Sequence, residues 1–176
     1  MESGYTLDPQ EEIIRRVKKH WIALAPVIVS VGTILIIILA GSYGIARYRN
    51  AVPAVIPTSA ITGVLGILLV LAVFILLTGV WVYNRNYILL TTKHLVRVEQ
   101  RGLFSRNVSQ LSLSRVQDVS SSTPGFLATI LGFGNVTVQT AGEEDNFVFV
   151  TMPFPGKLAD DCLAAHDKYA DAPIAG

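Results

Sequence analysis

Two stretches without a charged side chain dominate this sequence: residues 21–46 and residues 51–84 contain no Asp, Glu, Lys or Arg. A bilayer core about 30 Å thick needs roughly 20 apolar residues in a helix, because each residue advances about 1.5 Å. Residues 21–46 meet that length, with Ile34-Leu35-Ile36-Ile37-Ile38-Leu39 as the most apolar part. Residues 60–84 meet it again through Val64-Leu65-Gly66-Ile67-Leu68-Leu69-Val70-Leu71. Buried helices of a soluble protein would also hide such runs, but a chain of 176 residues leaves too little protein to cover two of them. Only 15% of residues are charged and 51% are hydrophobic, whereas soluble domains carry about a quarter charged. The expected fold class is therefore a membrane α-helical hairpin followed by a mainly β domain.

The hairpin can be read in some detail. Pro26 falls in the first turns of the first span, where its missing N–H costs little. Trp21 at one end, and Trp81 with Tyr83 at the far end of the second span, are placed as interfacial aromatic anchors. Gly63 and Gly66 offer a site for close helix approach, without the four-residue spacing of a strong packing motif. Residues 47–59, with Pro53 and Pro57, read as the connecting loop. Neither span holds an Asp, Glu, Lys, Arg or His, so the usual marker of an ion or proton path is missing.

Lys and Arg counts near the span ends set the orientation. The N-terminal flank has Arg15, Arg16, Lys18 and Lys19; the loop has Arg47 and Arg49; Arg85, Lys93, Arg97 and Arg101 follow the second span. That bias predicts a two-pass protein of the cell membrane with both termini in the cytoplasm. A cleaved signal peptide does not fit, since the first run is too long and acidic Glu11 and Glu12 precede it. Residues 1–20 form an amphipathic basic segment. Asp8, Pro9 and Glu11 resemble a capped helix start, and Ile13, Ile14, Val17 and Trp21 then share a helical face. The segment is either an interfacial helix lying on anionic headgroups or simply the basic flank of a span. On either reading Arg15, Arg16, Lys18, Lys19, Trp21, Trp81 and Tyr83 are the candidate membrane-interface residues.

From residue 85 the texture changes to short β-type runs between turn residues. Strands are expected over residues 87–91, 95–99, 108–113 and 115–119, and a short helix over 124–131 that Gly132 and Gly134 end. Residues 135–140 and 146–150 read as a hairpin around Gly142-Glu143-Glu144-Asp145. Leu158, Cys162, Ala165 and Tyr169 recur at helical spacing, so a closing helix is expected, with the domain over 85–170 and a tail over 171–176.

This order of parts resembles the bacterial membrane-flanked PH-like domain family. The likeness rests on the leader Glu11-Glu12-Ile13-Ile14 running to His20-Trp21, and on Trp81-Val82-Tyr83 through Tyr87-Ile88-Leu89-Leu90-Thr91-Thr92. It continues in His94-Leu95-Val96-Arg97-Val98, Gly102-Leu103-Phe104, Leu113-Ser114-Arg115-Val116-Gln117-Asp118-Val119, and residues 131–142. The resemblance implies a PH-like fold, an antiparallel sheet or partial barrel closed by the C-terminal helix. It carries no catalytic residue set. The dense basic loop of phosphoinositide-binding PH domains is not matched, because Glu99 interrupts Lys93, Arg97 and Arg101.

The remaining motifs favour no chemistry. His20, His94 and His166 stand in three different parts of the chain, and no H-x-x-x-H or C-x-x-C spacing points to a metal. A lone Cys162 makes no internal disulfide and fits a reducing compartment. Ser120-Ser121-Ser122 lies in no nucleophile elbow, and Gly132-Phe133-Gly134 lacks the third glycine of a dinucleotide loop. Glu143-Glu144-Asp145 reads as a solvated turn, and Asp161 and Asp167 as surface charge on the last helix. A net charge of +1 gives no basic face for nucleic acid. The expectation is a non-enzymatic interaction or scaffold module without cofactor, metal or small-molecule substrate. Its partners are the lipid bilayer and either a protein or a second copy. The alternative is a small homo-oligomeric channel or transporter accessory subunit.

Overall fold

The computed structural model describes residues 11–48, 57–140 and 146–169. The chain forms two compact units, one of residues 24–81 and one of residues 1–23 with 82–176.

The first unit is helical. A 3-10 turn at Trp21–Leu24 leads into α1, Ala25–Arg47, with Pro26 in its first turn. The second helix, α2, covers Thr58–Arg85. Both are long and apolar enough to cross a membrane, and Ala72 is the one buried residue among them. They run antiparallel: Val27 of α1 packs on Gly79 of α2, and Gly41 of α1 meets Leu65 of α2. Those contacts move the close approach away from Gly63 and Gly66, which face open space. Close packing selects the glycine that faces the partner helix, and sequence spacing alone does not tell which one does. The Asp8–Pro9 start signal, Arg49 with Pro53 in the loop, the acidic turn Glu143-Glu144-Asp145 and the tail 171–176 lie outside the described residues.

The β unit begins before the helices. Strand β1, Ile13–Lys18, pairs antiparallel with β2, Tyr87–Thr91, which follows α2 after one residue. Strands β3, His94–Gln100, and β4, Arg106–Ser112, complete a four-stranded sheet in the order β1-β2-β3-β4. The helical reading of the N-terminal flank is thus corrected to a strand. Ile13, Ile14 and Val17 are β-branched and suit a pleated surface. The strand's partner arrives only after both apolar helices, so no local pattern announces the pairing.

A second antiparallel sheet contains β5, Val116–Ser122, β6, Phe133–Thr140, and β7, Phe147–Pro153. Between β5 and β6 lies the short helix α3, Gly125–Leu131, which Gly132 ends in the left-handed conformation at φ +71°. No ladder joins the two sheets among the described residues, so the expected closure into a partial barrel is replaced by two separate sheets. The last helix, α4, Pro155–Tyr169, packs on β5 and β6 and buries Leu158, Cys162 and Ala165, the stripe the sequence predicts.

Alternation along the strands feeds one main core. Ile88 and Leu90, Leu95, Leu111, Val136, Val138, Phe149 and Met152 meet the α4 stripe there, and Val17 of β1 joins them. The odd-numbered neighbours on β2 look the other way: Tyr87 and Leu89 form a second cluster with Val96 and Val98. Both faces of β2 are therefore buried, which fits its unbroken apolar run.

Candidate functional site

Register places the chain's two passages to and from the helices at one end of the four-stranded sheet. Lys18, the last residue of β1, pairs with Tyr87, the first of β2, and Tyr87 pairs with Val98. This junction end is tightly wired. The Tyr83 hydroxyl donates to the Lys19 carbonyl at 2.9 Å. Lys19 Nζ lies 3.7 Å from Glu99, whose other oxygen is 3.2 Å from Arg101 Nε. Asn86, the single residue between α2 and β2, is buried and uses both ends of its amide. Its Nδ2 donates to the carbonyls of Val82 (2.8 Å) and Gln100 (3.3 Å), and its Oδ1 accepts the Gln100 N–H at 2.8 Å.

The second sheet reaches the same end. His20 N donates to the Thr151 carbonyl at 2.7 Å, and the His20 ring stacks on Phe133 with centroids 5.4 Å apart. The ladder between β6 and β7 shifts register beside Gly134, and Thr151 sits there at φ 59°, a conformation a β-branched residue seldom adopts. Asn135 Oδ1 accepts the Thr151 N–H at 3.2 Å and holds the bulge. Gly134 has no alternative, since a Cβ there would stand 2.3 Å from the Ser122 carbonyl oxygen.

The sequence-derived interface residues are divided by the strand. A helix would have shown Arg15, Arg16, Lys18 and Lys19 around one basic face; alternation in β1 sends Arg15 one way and Arg16 and Lys18 the other. Arg15 forms an ion pair with Asp161 of α4, which is thereby more than surface charge. Arg16 lies over the Tyr87 ring at 4.0 Å, and Lys18 is exposed. Trp21 is exposed at the start of the 3-10 turn, and Trp81 is exposed near the end of α2.

The opposite end of the sheet holds a buried polar group that sequence reading missed. The Glu11 side chain is fully covered, accepts a hydrogen bond from Thr91 Oγ1, and lies 2.9 Å from His94 Nδ1. Thr91 Oγ1 also accepts the His94 N–H at 2.8 Å across the β2–β3 turn. Glu11, read from sequence as part of a helix cap, instead secures the strand leader to that turn. Burial on α4 pushes the Cys162 thiol pKa up to about 11, with Arg15 pulling weakly the other way. His166 Nδ1 donates to the Leu113 carbonyl at 2.8 Å.

Between the first sheet and β7 is a cavity of about 30 Å³ lined by Lys19, Asn86, Arg97, Glu99, Phe149 and Met152. That is room for a water molecule. Arg97 spans its mouth, donating to the Val148 carbonyl at 3.2 Å with its guanidinium 5.6 Å from the Phe147 ring centre. Its Nε is buried without a hydrogen-bond acceptor among the described residues, so a water in the cavity would have a donor waiting. No group of three or more His, Cys, Asp or Glu side chains gathers to hold a metal ion among the described residues. The wiring of the junction end depends on pairings far apart in sequence, and neither Asn86 nor Glu11 carries a local signal of its role.

Comparison with known proteins adds a family. A model described as Bacterial PH domain matches residues 17–166. No curated protein matches. Among solved structures, a DUF1696 family protein with a pleckstrin-homology domain from Shewanella loihica PV-4 aligns over 50% of this chain and 73% of its own. It is 11% identical with a TM-score of 0.38, a likeness too slight to carry an argument.

Proposed function

The chain belongs to the bacterial PH domain family, and from that premise we propose a two-pass membrane protein whose β unit is a non-enzymatic interaction module at the cytoplasmic face. One observation carries the reading. Strand β1 precedes α1, strand β2 follows α2, and the two strands pair along their length. Backbone pairing requires both flanks on the same side of any membrane between them, hence an even number of crossings. The helical segments Trp21–Arg47, of 27 residues with the 3-10 turn included, and Thr58–Arg85, of 28, supply two. The Lys and Arg bias then selects the cytoplasmic side.

The cavity between the two sheets of the β unit holds about a water's volume, too little for a small-molecule ligand there. Its partner is a protein or a second copy of the chain. Crosslinking in native membranes followed by mass spectrometry tests this. A reproducible heterologous partner supports the module; crosslinks to itself alone favour the homo-oligomeric alternative; no crosslinked species at all counts against both. Topology is tested separately with a membrane-impermeant maleimide on intact cells. Tyr48→Cys, just after α1, should label from outside, and Ser114→Cys only after lysis. Labelling of only Ser114→Cys from outside would reverse the orientation, and labelling of both from outside would put the two positions on one face and overturn the two-pass reading.

A further inference from the structure

The β unit does not distribute its exposed apolar side chains evenly. Among its described residues, the large apolar side chains more than half exposed are Trp21, Phe104, Phe126, Leu127, Ile130 and Phe154, from 52% for Trp21 to 98% for Phe104. Every one belongs to the junction end. Trp21 opens the turn into α1. Phe104 lies in the turn between Gln100 and Arg106, which pair beyond the Tyr87–Val98 row on the side where the chain leaves the sheet. Helix α3, with Phe126, Leu127 and Ile130, connects Ser122 to Phe133, the ring stacked on His20. Phe154 follows Pro153, the partner of Phe133, and its N–H donates to the Gly132 carbonyl at 2.9 Å.

An exposed apolar patch of this kind marks a partner. Three features identify it as lipid. Trp21 is continuous in the chain with the apolar run of α1, which begins four residues later at Ala25. The side chains come from separate protrusions, a turn tip, a short helix and a strand end, which suit a fluid surface better than a shaped ligand. Arg101 and Arg106 bracket the Phe104 turn, with the Arg101 side chain 64% exposed, a composition matched to anionic headgroups.

We infer that the junction end of the β unit seats its apolar rim, Trp21, Phe104 and the Phe126–Leu127–Ile130 surface of α3, in the headgroup–acyl boundary of a bilayer containing anionic lipid. The inference rests on the two-pass reading, so its test must be able to fail separately. The full chain is placed in vesicles of phosphatidylcholine and phosphatidylglycerol, with and without brominated acyl chains, carrying an environment-sensitive fluorophore at Phe104→Cys, Phe126→Cys, Ser114→Cys or Leu39→Cys. The wild-type chain, whose Cys162 is buried, sets the background. Brominated lipid should cause loss of emission at 104 and 126 and none at 114, on the opposite end of the sheet. Both leaflets carry bromine, so the direction of insertion does not affect the result. Emission unchanged at 104 and 126 but lost at 39 overturns the docking and leaves the membrane helices standing. No loss at 39 overturns the two-pass reading itself. A blue shift at 104 and 126 without bromine quenching means that protein covers the rim, and also overturns the inference.

Discussion

Single residues divide into those whose burial is apolar and those whose burial depends on a partner. Val138 is fully buried between the sheet and α4, so Val138→Asp should cost about 4 kcal/mol or more and abolish cooperative unfolding of the detergent-solubilised chain. Glu144→Ala, at a position outside the described residues, should leave stability nearly unchanged in the same assay. Glu11 is buried through Thr91 and His94. Its removal as Glu11→Ala should cost about 1–3 kcal/mol. Combined with His94→Ala the loss should fall short of the two single effects added together; full additivity in a double-mutant cycle would show the pair to be uncoupled. Cys162 gives a pH dependence of known sign. Its folded pKa of about 11 lies above the unfolded 9.0, so its contribution is complete below pH 9 and is lost as pH rises toward 11. Denaturation across that range should show a downward slope that is steeper in the wild type than in Cys162→Ala.

At the level of elements, the helices and most strands were legible because their signals are local. Each apolar run ends within one residue of the helix it forms, the α4 stripe repeats within one segment, and the turns around residues 92 and 132 interrupt the strands visibly. What sequence did not reveal was whatever depends on partners remote in the chain. Strand β1 carries a few β-branched residues and a plausible helix cap ahead of them, and only β2 decides between the two. The same holds for the glycines of the apolar hairpin. Gly79 has Val27 carbons 2.7 Å from where a Cβ would stand, while Gly63 and Gly66 meet nothing. Gly79→Leu should therefore weaken association of the helices, read as lower thermal stability in detergent, whereas Gly63→Leu should be tolerated. Equal effects of the two would place the contact surface elsewhere. The candidate interface was legible as a list of basic and aromatic residues, yet their division between two faces of a strand follows from pairing alone.

For the whole molecule, the consequence of that pairing is a β unit built from both ends of the sequence. A chain beginning at Arg85 lacks β1 and leaves the edge of β2 open and the core short of Val17. It should aggregate or unfold, and appending residues 11–20 through a flexible linker should restore a cooperative transition; a stable fold without them would make β1 dispensable. The same arrangement imposes an order on biosynthesis. The ribosome delivers β1 first, but the strand has no partner until both apolar helices have been made. On the proposed two-pass reading, a chain that places only one helix across the bilayer separates β1 from β2, and its unfinished sheet presents an open edge to cellular proteases. On that reading, completion of the four-stranded sheet reports that both helices have crossed.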